Sequence, residues 1–262
     1  MQSNKTALIT GASSGIGYEL AHIHAAKGGN LVIVARRQEE LISLKEELER
    51  KYKIDVMVIA KDLSLPHAPS EVYEEVKRAG VQVDYLINNA GFGGQGKFHE
   101  RPWEQDLSMI HLNVIALSAL TRLFLPDFVK RNEGKILNVS STASLMPGPL
   151  QATYFATKAF VTSLSNAIAE ELAETQITVT TLLPGATDTG FKSTANLDNT
   201  ALFDKSASAK KVAEDGYNGM LEGKMNVISG LTTLQKILFP MLNFVPKKMQ
   251  LRAVRQMQEV RK

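Results

Sequence analysis

Strand-length apolar runs recur seven times along this 262-residue chain, at residues 5–10, 30–35, 55–60, 83–87, 134–139, 177–183 and 225–228. Longer stretches separate them, and that alternation is the pattern of βαβ units, parallel strands joined by crossover helices. The expected fold class is α/β, a doubly wound parallel sheet of about seven strands with helices on both faces. Helical spacing is clearest at 39–53, where Leu41, Leu44 and Leu48 recur among charges. Residues 107–130 and 153–175 read as longer, more apolar helices, suited to the core or to a subunit contact. No linker, repeat or low-complexity tract divides residues 1–262, which are read as one domain. Within it, 230–262 forms a basic, amphipathic C-terminal extension, and 185–206, rich in Thr, Asn and Asp, is the candidate mobile loop.

The chain has no cysteine, which excludes structural disulfides, thiol catalysis and cysteine-bound metal. No metal site is expected. The first residues lack the basic and apolar regions of a signal peptide, and no uninterrupted apolar run approaches the ~20 residues that span a bilayer. A cytoplasmic location is the expectation.

The first strand runs into Thr10, Gly11, Ala12, Ser13, Ser14, Gly15, Ile16 and Gly17, and an amphipathic helix follows. Glycines there let the chain turn tightly and approach a pyrophosphate, which the helix N-terminus then holds. The alternative is an ordinary glycine-rich turn. After the second strand the chain reads Val34, Ala35, Arg36, Arg37, where an NAD-binding protein often carries an acid. Arginine forms charge-assisted hydrogen bonds with a 2′-phosphate, so NADP(H) is favoured and NAD(H) is the alternative. Arg36 leads this argument, with Arg37 behind it. Asp62 offers an acceptor for an adenine amino group, or else a turn cap. Asn88, Asn89, Ala90 and Gly91 supply small, amide-rich residues where the fourth strand opens.

Tyr154 and Lys158 lie four residues apart, with Ser141 upstream. In a helix that spacing puts phenol and ammonium on one face, where the charge favours phenolate. A phenol titrates near pH ~10, and lowering it by some three units takes about 4 kcal/mol. One lysine falls short of that, so a second positive charge, such as an oxidised nicotinamide, is expected nearby.

Together these residues resemble the short-chain dehydrogenase/reductase family, in that family's order: the glycine turn, Asp62, Asn88 to Gly91, Asn113, Ser141, Tyr154 with Lys158, then Pro184, Gly185 and Thr189. The resemblance spans roughly Thr6 to Thr189 and implies a Rossmann-like sheet, a nicotinamide dinucleotide and a tetrad of Asn113, Ser141, Tyr154 and Lys158. By that analogy Tyr154 is the acid/base, Ser141 polarises the substrate oxygen, and Lys158 lowers the tyrosine pKa and bonds the nicotinamide ribose. Asn113 would hold a water linking Lys158 to solvent. Ser141 is chosen over Ser140 by the family's spacing, and His111 is read as structural. Leu63, Thr187 and Ile16 join the implied cofactor wall, with Thr189 bonding the carboxamide. The resemblance also implies a homodimer or homotetramer.

The implied function is an NADPH-dependent carbonyl reductase, reversible as an NADP-dependent alcohol dehydrogenase, on an apolar ketone, aldehyde or acyl group. A 3-oxoacyl thioester reductase and a hydroxysteroid-type dehydrogenase are alternatives within enzymes. A catalytically silent dinucleotide-binding regulatory protein is the alternative of another class. Phe92, Leu145, Met146, Leu150 and Phe191 are expected to line an apolar pocket, with no charged clamp for a carboxylate.

The formal net charge of +3 hides an asymmetry. Beyond residue 234 stand Lys236, Lys247, Lys248, Arg252, Arg255, Arg261 and Lys262 against the single acid Glu259, a net +6 that leaves −3 for the rest. Apolar Ile237, Leu238, Phe239, Met241, Leu242, Phe244 and Val245 precede most of these bases. A helix packing over the substrate mouth or a neighbouring subunit is favoured over a peripheral membrane contact. Nucleic acid is not an expected partner, since no recognition module is visible.

Overall fold

The computed structural model describes residues 5–197, 200, 206–232 and 245–259. Seven parallel strands form the main sheet: β1 (Thr6–Thr10), β2 (Asn30–Ala35), β3 (Val56–Ala60), β4 (Tyr85–Asn88), β5 (Gly134–Val139), β6 (Ile177–Pro184) and β9 (Asn226–Ser229). Their order is β3-β2-β1-β4-β5-β6-β9. The chain winds outward from β1 to β3, then crosses to β4 and winds the other way. A crevice opens at this reversal, outside the carboxyl ends of β1 and β4, where doubly wound sheets bind ligands.

Every strand expected from the sequence is present, with no end moved by more than two residues. Near-continuous burial explains their legibility, since Leu31 to Ala35 of β2 and Thr180 to Pro184 of β6 are buried throughout. One face of the sheet carries α1 (Gly15–Ala26), α2 (Gln38–Tyr52) and α8 (Ala209–Leu221), whose Leu20, Leu41, Leu48 and Met220 share a core cluster with Ile9 and Ile33. On the other face α3 (Ala68–Arg78) and α5 (Leu117–Arg131) bury Val72, Val76, Phe124 and Phe128 against Leu8, Leu86 and Ile136.

The helix expected over 107–130 is longer and interrupted. It begins as α4 (Trp103–Ile110), passes through a π-helical turn at His111–Ala116 and continues as α5. The combined stretch Trp103–Arg131 is long and apolar enough to cross a membrane by length and composition. Its Leu120, Phe124 and Phe128 instead fill the core beneath the sheet. The third long helix, α6 (Ala152–Glu171), is the one expected over 153–175, ending earlier.

The stretch expected as an irregular loop contains structure. β7 (Thr187–Asp188) pairs in parallel with β8 (Ala207–Ser208), and a short α7 (Phe191–Thr194) lies between them. Of the C-terminal extension, α9 (Lys247–Gln258) is described. Lys236, Ile237, Leu238, Phe239, Met241, Leu242, Phe244, Arg261 and Lys262 lie outside the described residues. α9 buries Gln250, Val254 and Gln258 and leaves Lys247, Lys248, Arg252 and Arg255 exposed. Val254 joins Tyr154, Phe155, Met109 and Ala143 in one apolar cluster, so this helix packs beside the start of α6.

Candidate active site

A cleft of ≈ 860 Å³ runs across the carboxyl ends of the strands, from the glycine turn after β1 to the inner face of α9. Its nucleotide end is built by close backbone approach. Gly11 has φ +66°, and a Cβ there would meet Ala90 Cα at 2.9 Å. At Gly17 a Cβ would lie 2.3 Å from the Gly11 carbonyl oxygen, so only glycine lets α1 begin this close to the turn. Asn89 Nδ2 donates to the Thr10 and Gly11 carbonyls at 2.9 and 3.2 Å, while Thr10 Oγ1 accepts from the Asn89 and Ala90 amides at 3.0 Å each. Thr10, Gly17 and Asn89 are thus scaffold residues. Thr10 and Gly17 stand behind the cleft wall, whereas Gly11, Ser13, Ser14, Gly15 and Ile16 line it.

No side chain caps the start of α1, where Ser14 is extended, so the first-turn amides remain available to an anion. Arg36, Arg37, Lys61, Asp62 and Leu63 line the far end. Arg36 is the freer cation, its side chain 71% exposed and 4.0 Å from Asp62. Arg37 donates to Ser13 Oγ at 3.0 Å and pairs with Glu40 at 3.3 Å, which ties it to the turn. Asp62 Oδ1 accepts from Ser64 N and Oγ at 3.0 and 2.7 Å. The turn-cap role weighed from the sequence is therefore realised, and Asp62 still borders the cleft. A backbone cradle without Cβ atoms, uncapped amides and arginines fit a pyrophosphate-bearing dinucleotide with a further phosphate on its ribose.

At the centre, α6 brings Tyr154 and Lys158 to the cleft, and the turn after β5 brings Ser141. Lys158 Nζ donates to the Val139 carbonyl at 2.9 Å and sits 5.9 Å from the centre of the Tyr154 ring. Burial pushes the Tyr154 phenol up to about 12, and a hydrogen bond with Ser141 works against that rise. Burial also brings the Lys158 ammonium down to about 8. Desolvation thus outweighs the lysine in the protein alone, and the expected depression of the tyrosine pKa is not a property of this pair by itself.

Ser140 and Ser141 divide their work. Ser140 Oγ donates to the Lys158 carbonyl at 2.9 Å and meets Thr162 Oγ1 at 2.7 Å, locking α6 to β5. Ser141 Oγ accepts from Ala143 N at 3.1 Å and faces the phenol.

Asn113 does not line the cleft. Its carboxamide is 1% exposed and serves the Phe92 main chain and Thr157 Oγ1, the structural alternative to a water-holding side chain. His111 is likewise outside the cleft wall. Asn88 bridges Thr121 and Asn138 in the core. Ala90, Gly91, Pro184, Gly185, Thr187 and Thr189 line the cleft as expected. Thr189 Oγ1 accepts from Phe191 N at 3.2 Å, and a Cβ on Gly15 would lie 3.0 Å from Thr189 Cγ2.

The substrate end is apolar, with Phe92, Met146, Phe155, Phe191, Leu197 and Val254 around the phenol. Leu145 and Leu150, expected among these, do not line it. Gln151 does line it, at the end of the 145–151 segment expected from the sequence to set substrate specificity, and so does Gln258, which sequence reading missed. Sequence reading also missed a buried ion pair beside the site: Arg101 pairs with Asp106 at 2.7 Å, and Asp106 accepts from Thr153 Oγ1 at 2.8 Å, one residue before Tyr154. The i,i+5 spacing of Arg101 and Asp106 is common between surface charges and gave no signal of it.

Comparison with known proteins places this geometry. A family model described as short chain dehydrogenase matches residues 5–200. The very-long-chain 3-oxoacyl-CoA reductase of Rattus norvegicus is 34% identical over 187 residues, 68% of this chain and 58% of that protein. The NADP-dependent 3-hydroxy acid dehydrogenase of Schizosaccharomyces pombe is 35% identical over 192 residues, 71% of this chain and 73% of that protein. A solved short-chain dehydrogenase from Sphingobium yanoikuyae in complex with NADPH superposes with a TM-score of 0.83 at 30% identity, covering 98% of each chain. The chain spans about 58% of the length of the mammalian very-long-chain reductases it matches.

Proposed function

The chain belongs to the short-chain dehydrogenase family, and from that premise we propose that it is an NADPH-dependent carbonyl reductase, reversible as an NADP-dependent alcohol dehydrogenase, acting on an apolar ketone, aldehyde or acyl group. One observation carries the reading: Tyr154 and Ser141 stand where a glycine-lined, arginine-tipped half of the cleft meets an apolar half. Arg36 and the amides of the first turn of α1 hold the phosphates of the dinucleotide. When bound, that group supplies a hydride from its nicotinamide ring. Ser141 holds the substrate oxygen, and Tyr154 gives its proton to that oxygen as negative charge gathers there. In the reverse direction the tyrosine takes the hydroxyl proton. Lys158, fixed by Val139, keeps a positive charge beside the phenol.

Among substrates, a 3-oxoacyl thioester is the first to test, because relatives of this chain carry 3-oxoacyl and 3-hydroxy acid names. Titration with NADPH and NADH, followed by a screen of ketones, aldehydes and acyl thioesters, tests the proposal. Tight NADPH binding with substrate-dependent oxidation is expected. Binding without oxidation by any class would instead leave a dinucleotide-binding regulatory protein.

A further inference from the structure

Two buried carboxamides in the apolar half of the cleft have carbonyl oxygens without a partner. Gln151 is 2% and Gln258 1% exposed, and both line the cleft. Oε1 of each has no hydrogen-bond partner among the described residues. An acceptor buried in this way destabilises the fold, so each such group calls for a reason.

Contacts to the main chain from adjacent residues 95 and 96 bring the two residues to one corner of the cleft. Gly96 N donates to the Leu150 carbonyl at 2.8 Å, immediately before Gln151, and Gln95 Nε2 donates to the Gln258 carbonyl at 3.3 Å. Arg101 Nη1 in turn donates to the Gln95 carbonyl at 3.0 Å, and its ion pair with Asp106 is buried. Leu150 has φ +69°, a left-handed conformation that a leucine adopts only under constraint. The chain thus accepts strain directly ahead of one orphaned amide.

We propose that Gln151 and Gln258 form a polar subsite that accepts a hydrogen bond from a neutral donor on the substrate, a hydroxyl or an amide N–H, remote from the reacting carbonyl. The unpaired atoms are acceptors, which asks for a donor. The charged lining residues stand elsewhere, four at the nucleotide end and Lys158 beside Tyr154, and the nearby Arg101 and Asp106 neutralise each other, which leaves this corner without a counter-charge for an ionic group. Each residue lines the cleft, and its oxygen makes no hydrogen bond that a substrate donor would have to displace. The placement of substrate in this half rests on the carbonyl-reductase reading.

The test uses two matched pairs of probes. One is the 3-oxodecanoyl thioester of N-acetylcysteamine with its analogue in which ester oxygen replaces the amide N–H. The other is 10-hydroxydecan-2-one with its methyl ether. Calorimetric affinities for the full chain saturated with NADP⁺, and NADPH oxidation rates, are measured for all four. In at least one pair the donor-bearing member should bind about tenfold or more tightly, and which pair does so tells amide from hydroxyl. Gln151→Leu or Gln258→Leu should bring that preference below about twofold. Equal binding of both members in both pairs, or no binding, overturns the subsite, and that comparison in the parent needs no variant to fold. A preference that survives both substitutions also overturns it. Oxidation of NADPH without preference removes the subsite and leaves the reductase reading; preference without oxidation does the reverse.

Discussion

Asn113 and Phe92 exchange two hydrogen bonds, Phe92 N donating to Asn113 Oδ1 at 3.1 Å and Asn113 Nδ2 to the Phe92 carbonyl at 2.9 Å. A side-chain amide here does the work of a neighbouring strand, for a segment that has just left β4. Asn113→Ala would leave both Phe92 groups without that partner, a loss of about 1–3 kcal/mol in unfolding free energy by urea titration. Turnover should fall further than stability alone explains, because Gly91 beside it approaches Lys158: a Cβ there would lie 3.3 Å from Nζ. Parent-like stability in the variant would remove the clamp from the account.

Tyr154→Phe keeps the ring packed against Phe155 and Phe191 and deletes only the hydroxyl. Loss of general acid–base catalysis should lower kcat by about 10²-fold or more. The dissociation constant for NADPH, read by fluorescence titration, should stay close to that of the parent. Wild-type-like turnover on any accepted substrate would sink the proposed chemistry.

Stability should depend on pH through Lys158. Its ammonium is held at about 8 in the fold against 10.5 in an unperturbed chain. Between these values the unfolded chain binds the proton and the folded chain has released it, so stability rises with pH across the window. Below it the fold bears the full penalty, about 3 kcal/mol. Lys158→Met removes the titration. The difference in unfolding free energy between variant and parent should shift in the parent's favour as pH rises from about 8 to about 10.5. A difference flat across that window would mean the ammonium is hydrated.

Arg36 is exposed at the nucleotide end, and among the described residues only a distant Asp62 competes for it. Arg36→Ala should weaken NADPH binding about ten- to hundredfold, the range of a charge-assisted hydrogen bond to phosphate, and leave NADH nearly untouched. Equal losses for the two nucleotides would assign the discrimination to other residues.

Arg101 and Asp106 form an ion pair whose side chains are 9% and 3% exposed. Arg101→Met leaves a buried carboxylate without its counter-charge, which should cost about 3–5 kcal/mol by urea titration. Asp106→Asn added to that variant should restore part of the loss. Additive losses would mean that each residue acts alone.

How much of this was legible in the sequence follows from the range of the interactions. The strands were, because burial on both faces makes their cores apolar, as in the unbroken run of residues 31–35. The glycine turn and the Tyr154–Lys158 spacing were, because both are local. The partners of the carboxamides were not. Nothing near residue 113 announces Phe92, and nothing near residue 258 announces Gln95, since these contacts are made by the winding of the chain. The rise of the tyrosine pKa in the protein alone was hidden for a similar reason: spacing shows the neighbouring charge and not the depth of burial.

The π-helical turn at His111–Ala116 lets one continuous rod do two jobs. Ahead of it, Asp106 and Met109 turn toward the catalytic helix; behind it, Phe124 and Phe128 turn into the sheet. Such a bulge is one residue out of phase with a regular helix, and one residue is about 100° of rotation. Removing a single residue from 111–116 would let the rod run straight and would swing one of its two faces out of register. The register of both faces therefore depends on how many residues this turn holds, whatever letters the rest of the rod carries.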